Sequence, residues 1–251
     1  MIVKDTVTIK DTVVVTDTVG CYNLNDGLIA YYNFNGGNLN DSSGNYNNIV
    51  FSNATKTADR FGNPNNAYLF DGSTSYMQVS NSASLNPDSI TIMAIVKVNG
   101  FFTGPCHANQ ILGKGWPDYA DGFYCMRFTD TTDCNAPAYT NGEHFEGQYG
   151  NNNPLGSATG ALADSNAIQT GQWYNVVYTY DGTKSRLYIN GVLKDELQKT
   201  IAFTANNQPL TIGKHLDPNF PYWFNGVIDE IRIYKKAFCA KAVAQLNLLQ
   251  E

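Results

Sequence analysis

The chain has 251 residues, 43% of them hydrophobic, enough for one large all-β unit with a buried core. Only 15% are charged, the formal net charge is −6 and no basic run occurs, which excludes a phosphate-binding surface for nucleic acid. No apolar run is long enough to cross a bilayer as a helix, so no membrane span is expected.

Residues 1–20 repeat Asp5-Thr6-Val7, Asp11-Thr12-Val13 and Asp17-Thr18-Val19, with Val and Thr alternating against polar residues. So short a repeat buries too little to stand alone. It reads as an extended linker or stalk, or as a self-associating element that makes a homo-oligomer. Met1 runs straight into this repeat with no apolar signal segment. The surface is instead rich in Asn, Ser, Thr, Gly and Tyr, the mix of exported β proteins. The expectation is therefore an extracellular or cell-surface protein, with Met1 standing in for a longer native N-terminus; a cytosolic protein is the alternative.

A second unit is expected over residues 21–251. Leu28–Phe34 reads as its first strand, and Gly36-Gly37 and Asn40–Gly44 as turns. Ala67–Phe70 and Tyr76–Val79 are strands around the Asp71-Gly72 turn. Ile90–Val98 is apolar almost throughout, which suits the middle of a sheet. Residues 99–166 read as loops and insertions, with one strand-like run at Phe123–Phe128. Trp173–Tyr180, Ser185–Ile189 and Val192–Leu197 form a meander, its second turn being Asn190-Gly191. Pro209–Gly213 and Phe224–Tyr234 are the last strands, and Phe238, Ala242, Val243, Leu246 and Leu249 have helical spacing. Strand and turn with no alternating helices predict an antiparallel two-sheet sandwich with a short C-terminal helix.

The five cysteines form no C-x-x-C pair, so zinc is not expected. In an oxidising compartment Cys21 can pair with Cys239, since the ends of a sandwich lie close together, and Cys106 with Cys134. Cys125 then remains a buried free thiol. The alternative is five buried reduced cysteines.

Four segments in order carry a resemblance. They are Gly27–Phe34 with Asn40–Gly44; Tyr68–Gly72 leading to Tyr76; Trp173–Val177 through Leu187–Gly191; and Phe224–Tyr234. Together they resemble the laminin-G-like jelly rolls of the concanavalin A-like lectin/glucanase superfamily. The Asp-Thr-Val repeat resembles, in composition only, spacers in secreted proteins of Bacteroidetes-type bacteria. The resemblance implies an all-β jelly roll and relatives that bind glycans, bind proteins, adhere to surfaces or cleave polysaccharides. It also implies a structural calcium (Ca2+) between first and last strands, with Asp229 as a ligand and Asn33, Asn35 or carbonyls near Gly36 completing it. Asp41 and Asp71 are weaker candidates, since both also suit turn capping.

Cleavage of a glycosidic bond needs two facing carboxylates. Glu143 with Glu146, Asp195 with Glu196, and Asp229 with Glu230 are the nearest pairs, and none has strand parity for one face. Sugar recognition needs flat aromatic rings among polar side chains. Two loops offer them: Trp116 with Tyr119, and Tyr222 with Trp223. Trp173 belongs to a core strand. The expectation is a non-catalytic module for a glycan or a surface protein. The alternatives are an assembly protein driven by residues 1–20 and a polysaccharide hydrolase.

Overall fold

The computed structural model describes residues 23–115, 122–129, 144–151, 159–162, 168–201 and 203–249. The Asp-Thr-Val repeat, Cys21, Cys134, Trp116, Tyr119 and Glu143 lie outside them.

The first strands are β1 (Leu28–Tyr32), β2 (Ile49–Ser52), β3 (Thr55–Thr57), β4 (Ala67–Asp71), β5 (Met77–Val79) and β6 (Ile90–Gly100). Next come β7 (Asn109–Lys114), β8 (Gly122–Thr129), β9 (His144–Asn151) and β10 (Thr159–Leu162). The chain closes with β11 (Trp173–Tyr180), β12 (Lys184–Ile189), β13 (Val192–Gln198), β14 (Leu210–Ile212), β15 (Asn225–Tyr234) and helix α1 (Ala240–Asn247). They form two antiparallel sheets. The first runs β13-β12-β11-β6-β15-β4-β3, with β1 also paired to β15; the second runs β10-β9-β8-β7-β14-β5-β2. The jelly-roll sandwich and its terminal helix are as the sequence implied.

Alternate side chains of both sheets meet in one core. From the first sheet come Ile92, Ala94, Val96, Val176, Tyr178 and Leu187; from the second come Leu112, Tyr124, Met126, Phe128, Phe145 and Tyr149. Gly147 sits opposite Tyr178, where a Cβ would stand 2.2 Å from the ring. The glycine thus lets a large ring of one sheet seat against the backbone of the other.

The first sheet is covered on its outer face as well. Met93, Ile95, Val177 and Tyr188 pack there against Phe238, Ala242, Val243 and Leu246. This explains the unbroken apolar run of β6: it is central, and both of its faces are buried. At the second turn of the meander Asn190 and Gly191 take φ of 51° and 78°, the left-handed pair a two-residue hairpin requires.

Two sequence expectations fail. Residues 99–166 carry four strands, β7 to β10, which make up more than half of the second sheet. Their outward residues are polar and their runs contain glycine, so they lack the apolar density of the first sheet. The second failure is in β15, whose pairing with β6 shifts between Ile228 and Glu230. The extra residue changes the parity of the strand. Ile228 faces the core, but so do Ile231 and Ile233. Glu230 and Arg232 are thereby turned away from the core.

Cys106 and Cys239 are disulfide-bonded, and Cys125 is a buried free thiol. The partners expected from the sequence, Cys134 for Cys106 and Cys21 for Cys239, fall outside the described residues.

Candidate functional site

Among the described residues, no helix covers the outer face of the second sheet. Strand register sets one row of residues across it. Phe51 of β2 pairs with Gln78 of β5, Gln78 with Thr211 of β14, and Thr211 with Gly113 of β7. The row continues through Cys125 of β8 to Gln148 of β9.

The loop between β14 and β15 stands over this row. Its stem is closed by Phe224 N–H donating to Gly213 O at 3.0 Å and His215 N–H donating to Pro221 O at 2.8 Å. Gly213 begins it at φ 84°, where a Cβ would lie 2.3 Å from the Phe70 ring. No residue but glycine fits there. The Gln110 N–H donates to Tyr222 O at 2.7 Å, which ties the loop to β7. Tyr222 takes φ 44°, a left-handed conformation unusual for a bulky residue. Successive loop residues then diverge. Tyr222 and His215 pack toward β7–β9, whereas Trp223 and Lys214 pack toward β5 and β2.

The β7–β9 side is a filled polar recess. Arg127 Nε donates to Glu146 Oε2 at 2.7 Å, and the Gln148 amide donates to the other Glu146 oxygen. Tyr222 lies over Arg127, 6.0 Å from ring centroid to guanidinium carbon, and beside His215, with ring centroids 5.1 Å apart. Burial pushes the Cys125 thiol up to about 12, so it stays protonated at neutral pH. The space left among Gln110, Cys125, Arg127, Gln148 and His215 is about 10 Å³, room for at most one water. Glu146, with both oxygens engaged, is held as a structural anion.

The β5–β2 side is an open aromatic shelf. Phe51 and Tyr76 have ring centroids 4.7 Å apart and tilted by 33°; Tyr76 and Trp223 are 6.4 Å apart and tilted by 57°. Val50 and Phe51 are 62% and 42% exposed, which leaves this end accessible to a large ligand. Lys214 Nζ lies 4.0 Å from the Tyr76 ring centroid and 5.6 Å from that of Trp223. Gln78, half-buried beside Phe51, has no hydrogen bond from its side chain to a described residue. Three rings, an ammonium and a free amide thus share one surface, a set suited to stacking an apolar sugar face while fixing its polar substituents.

The sequence pointed to Tyr222 and Trp223 as one aromatic loop, but the structure separates them: Trp223 lines the shelf and Tyr222 seals the recess. Phe51 and Tyr76 carried no separate signal, because their nearness to Trp223 comes from the pairing of β2, β5 and β14. Trp173 packs beside the helix-covered cluster, with Lys97 Nζ 5.2 Å from its ring.

Of the residues named for calcium, Asp71, Asp41 and Asp229 are engaged by protein groups. Asp71 Oδ1 accepts the N–H groups of Ser73, Thr74 and Ser75 at 2.8–2.9 Å, and its other oxygen accepts the Thr74 hydroxyl. Those bonds hold its carboxyl well below the usual range, against the opposing effect of burial. Asp41 likewise accepts from Tyr31, Ser43 and Asn47. Asn35 is exposed. Asp229 Oδ2 is 2.6 Å from Arg60 Nη1, and Glu230 Oε2 is 3.6 Å from Arg60 Nη2. The bulge therefore brings Asp229 and Glu230 to one guanidinium, where simple alternation had them facing apart. Burial raises the Asp229 pKa and Arg60 opposes the rise. Arg60 thus holds the carboxylate of Asp229, the residue that the resemblance implied as a calcium ligand. Among the described residues, no group of three or more His, Cys, Asp or Glu is placed to hold a metal. Of the other acids, Glu196 is bound by Lys184 and Arg186 on the edge hairpin.

The arrangement defines a jelly-roll sandwich with one face partly covered by a helix and the other bearing loops and a partly open aromatic surface. The sequence profile of the concanavalin A-like lectin/glucanases superfamily matches residues 71–244, and the chain belongs to that superfamily. No curated protein sequence matches the chain. Among solved structures, domain 4 of AbnA, a GH43 extracellular arabinanase from Geobacillus stearothermophilus, in complex with arabinotriose, is similar at TM-score 0.57 and 22% identity. The match covers 88% of this chain and 98% of that domain. The binding domain of Paraclostridial Mosquitocidal Protein 1 is similar at TM-score 0.66 and 15% identity, over 89% of this chain and 52% of that one. The binding domain of botulinum neurotoxin DC in complex with SialylT gives 0.64 and 16%, over 90% and 51%. The chain thus spans about half the length of these toxin binding domains. At such identities the likeness shows a shared fold.

Proposed function

We propose that this chain is an extracellular, non-catalytic binding module that takes carbohydrate on the shelf formed by Phe51, Tyr76 and Trp223. The observation that carries the reading is the contrast on the open face. The polar recess is filled and its carboxylate neutralised, whereas the aromatic shelf is partly open, with Phe51 exposed and Tyr76 and Trp223 half-buried, and bears an unengaged amide at Gln78. The superfamily includes lectins, and one structurally similar domain was solved with arabinotriose, which supports a sugar as ligand. The disulfide-bonded Cys106 and Cys239 support an oxidising compartment.

A glycan array probed with wild type and Trp223→Ala tests the reading. Wild type is expected to retain a defined set of saccharides and the variant to lose them, since one ring–sugar stack contributes about 1–2 kcal/mol, a factor of about 10 in affinity. Absence of binding to every glycan, or binding that survives Trp223→Ala together with Phe51→Ala, would sink it.

A further inference from the structure

The shelf has a cation built into it, and the loop stem fixes where that cation stands. Lys214 follows Gly213 and lies across the stem from Trp223, between the hydrogen bonds Phe224–Gly213 and His215–Pro221. Its ammonium rests over Tyr76 and at the rim of Trp223, 4.0 and 5.6 Å from the two centroids. Ring faces orient an ammonium but accept no hydrogen bond of ordinary strength, so its three donors remain available. Acidic residues outnumber basic ones in this chain, 22 to 16. Arg60, Arg127, Lys184, Arg186, Arg232 and Lys236 each hold a carboxylate. Lys214 pairs with none among the described residues. Partial burial already draws its pKa down, a cost to the charged form that a bound anion would offset.

We infer that the saccharide taken by this shelf is anionic, with a carboxylate or sulfate seated on Lys214 while its ring lies against Trp223. The geometry assigns the two parts of the ligand separately. The ammonium covers one side of Tyr76, which leaves Trp223 and the exposed Phe51 as the stacking surfaces. A pyranose laid on Trp223 carries its exocyclic substituents at its own rim, the side on which Nζ stands. A neutral hydroxyl there gains one ordinary hydrogen bond; a carboxylate or sulfate gains a charge-assisted one, roughly twice as strong. The inference rests on the shelf being a glycan site.

The test uses matched pairs that differ only in charge. Suitable pairs are oligogalacturonates and their methyl esters, sialyllactose and lactose, and chondroitin sulfate oligosaccharides before and after desulfation. Each is titrated against wild type, Lys214→Gln, Lys214→Arg and Trp223→Ala, with folding checked by near-ultraviolet circular dichroism. The charged member of at least one pair should bind wild type about tenfold more tightly. That preference should weaken with added salt, vanish in Lys214→Gln and persist in Lys214→Arg. The carboxylate and sulfate pairs separate the two anions. Equal binding within every pair, or a preference that survives Lys214→Gln, overturns the anionic assignment and leaves the glycan reading standing. No binding of any member by folded wild type overturns the anionic assignment, and overturns the glycan reading too if the array also shows no binding.

Discussion

The two outer faces of the sandwich are built to opposite ends. On the first sheet, Met93, Ile95, Val177 and Tyr188 meet the apolar side of α1 and are buried there, while Leu193 and Glu196 at the β12–β13 end of the face stay exposed beside an open hollow. On the second, the outward row is Phe51, Gln78, Thr211, Gly113, Cys125 and Gln148, with no helix of the described residues above it. Burial of apolar area stabilises the fold in proportion to that area. The helix-covered face therefore carries stability. The open face, apolar only at an exposed shelf, contributes little to folding and is left to recognition.

The comparison predicts that substitutions on the first sheet act on folding. Arg60→Ala should have the largest effect, because it leaves Asp229 and Glu230 beside each other without their shared cation; the expected loss is about 4 kcal/mol by urea denaturation. Leu246→Ala opens a cavity under α1 and should cost about 3 kcal/mol in the same measurement. A loss below about 1 kcal/mol from either would break the assignment of stability to this face.

On the second sheet the expected effects are smaller. Lys114 is fully buried, and its ammonium donates to Asn86 Oδ1 at 3.0 Å and to Asn206 Oδ1 at 2.7 Å. Burial brings its pKa down to about 8 from the model-compound value of 10.5. Between those values the unfolded chain binds the proton and the folded chain does not, so stability rises with pH. Wild type should gain on the order of 2 kcal/mol over Lys114→Met from pH 8 to 10.5, with a flat difference below pH 8. Matched urea denaturations across that range check the slope. Trp223→Ala should change stability by less than about 1 kcal/mol while removing glycan binding, the sharpest form of the contrast. The smallest effect is expected from a calcium chelator. With Arg60 already beside Asp229, treatment should leave the melting temperature unchanged; a fall of several degrees would place calcium on other residues of the chain.

Much of this division was legible in the sequence, and where it was not, the cause is identifiable. The run Ile90–Val98 announces a strand buried on both faces, and Asn190-Gly191 announces its hairpin. The spacing of Ala242, Val243 and Leu246 announces the helix that covers the first sheet. The strands β8 and β9 were harder to see. Their outward Arg127, Glu146 and Gln148 are polar because they face a recess, and Gly147 interrupts the inward series to make room for Tyr178. Trp223 was visible as an aromatic loop residue. Phe51 and Tyr76 were not, since a surface assembled from three separated segments leaves no spacing to read. Nor does any residue type mark the register shift near Asp229.

That shift changes which substitutions the last strand can accept. In a saturation-mutagenesis map, β15 would not show one alternating pattern of tolerance. Ile228 would head one series, and Ile231 and Ile233 would belong to another, out of phase with it. Glu230 and Arg232 would reject apolar replacements that a simple alternation would permit. Removal of Asp229, the extra residue, would leave Ile228, Ile231 and Ile233 facing the core, because it turns the offset pairing with β6 into regular alternation; its cost would be the lost pair with Arg60.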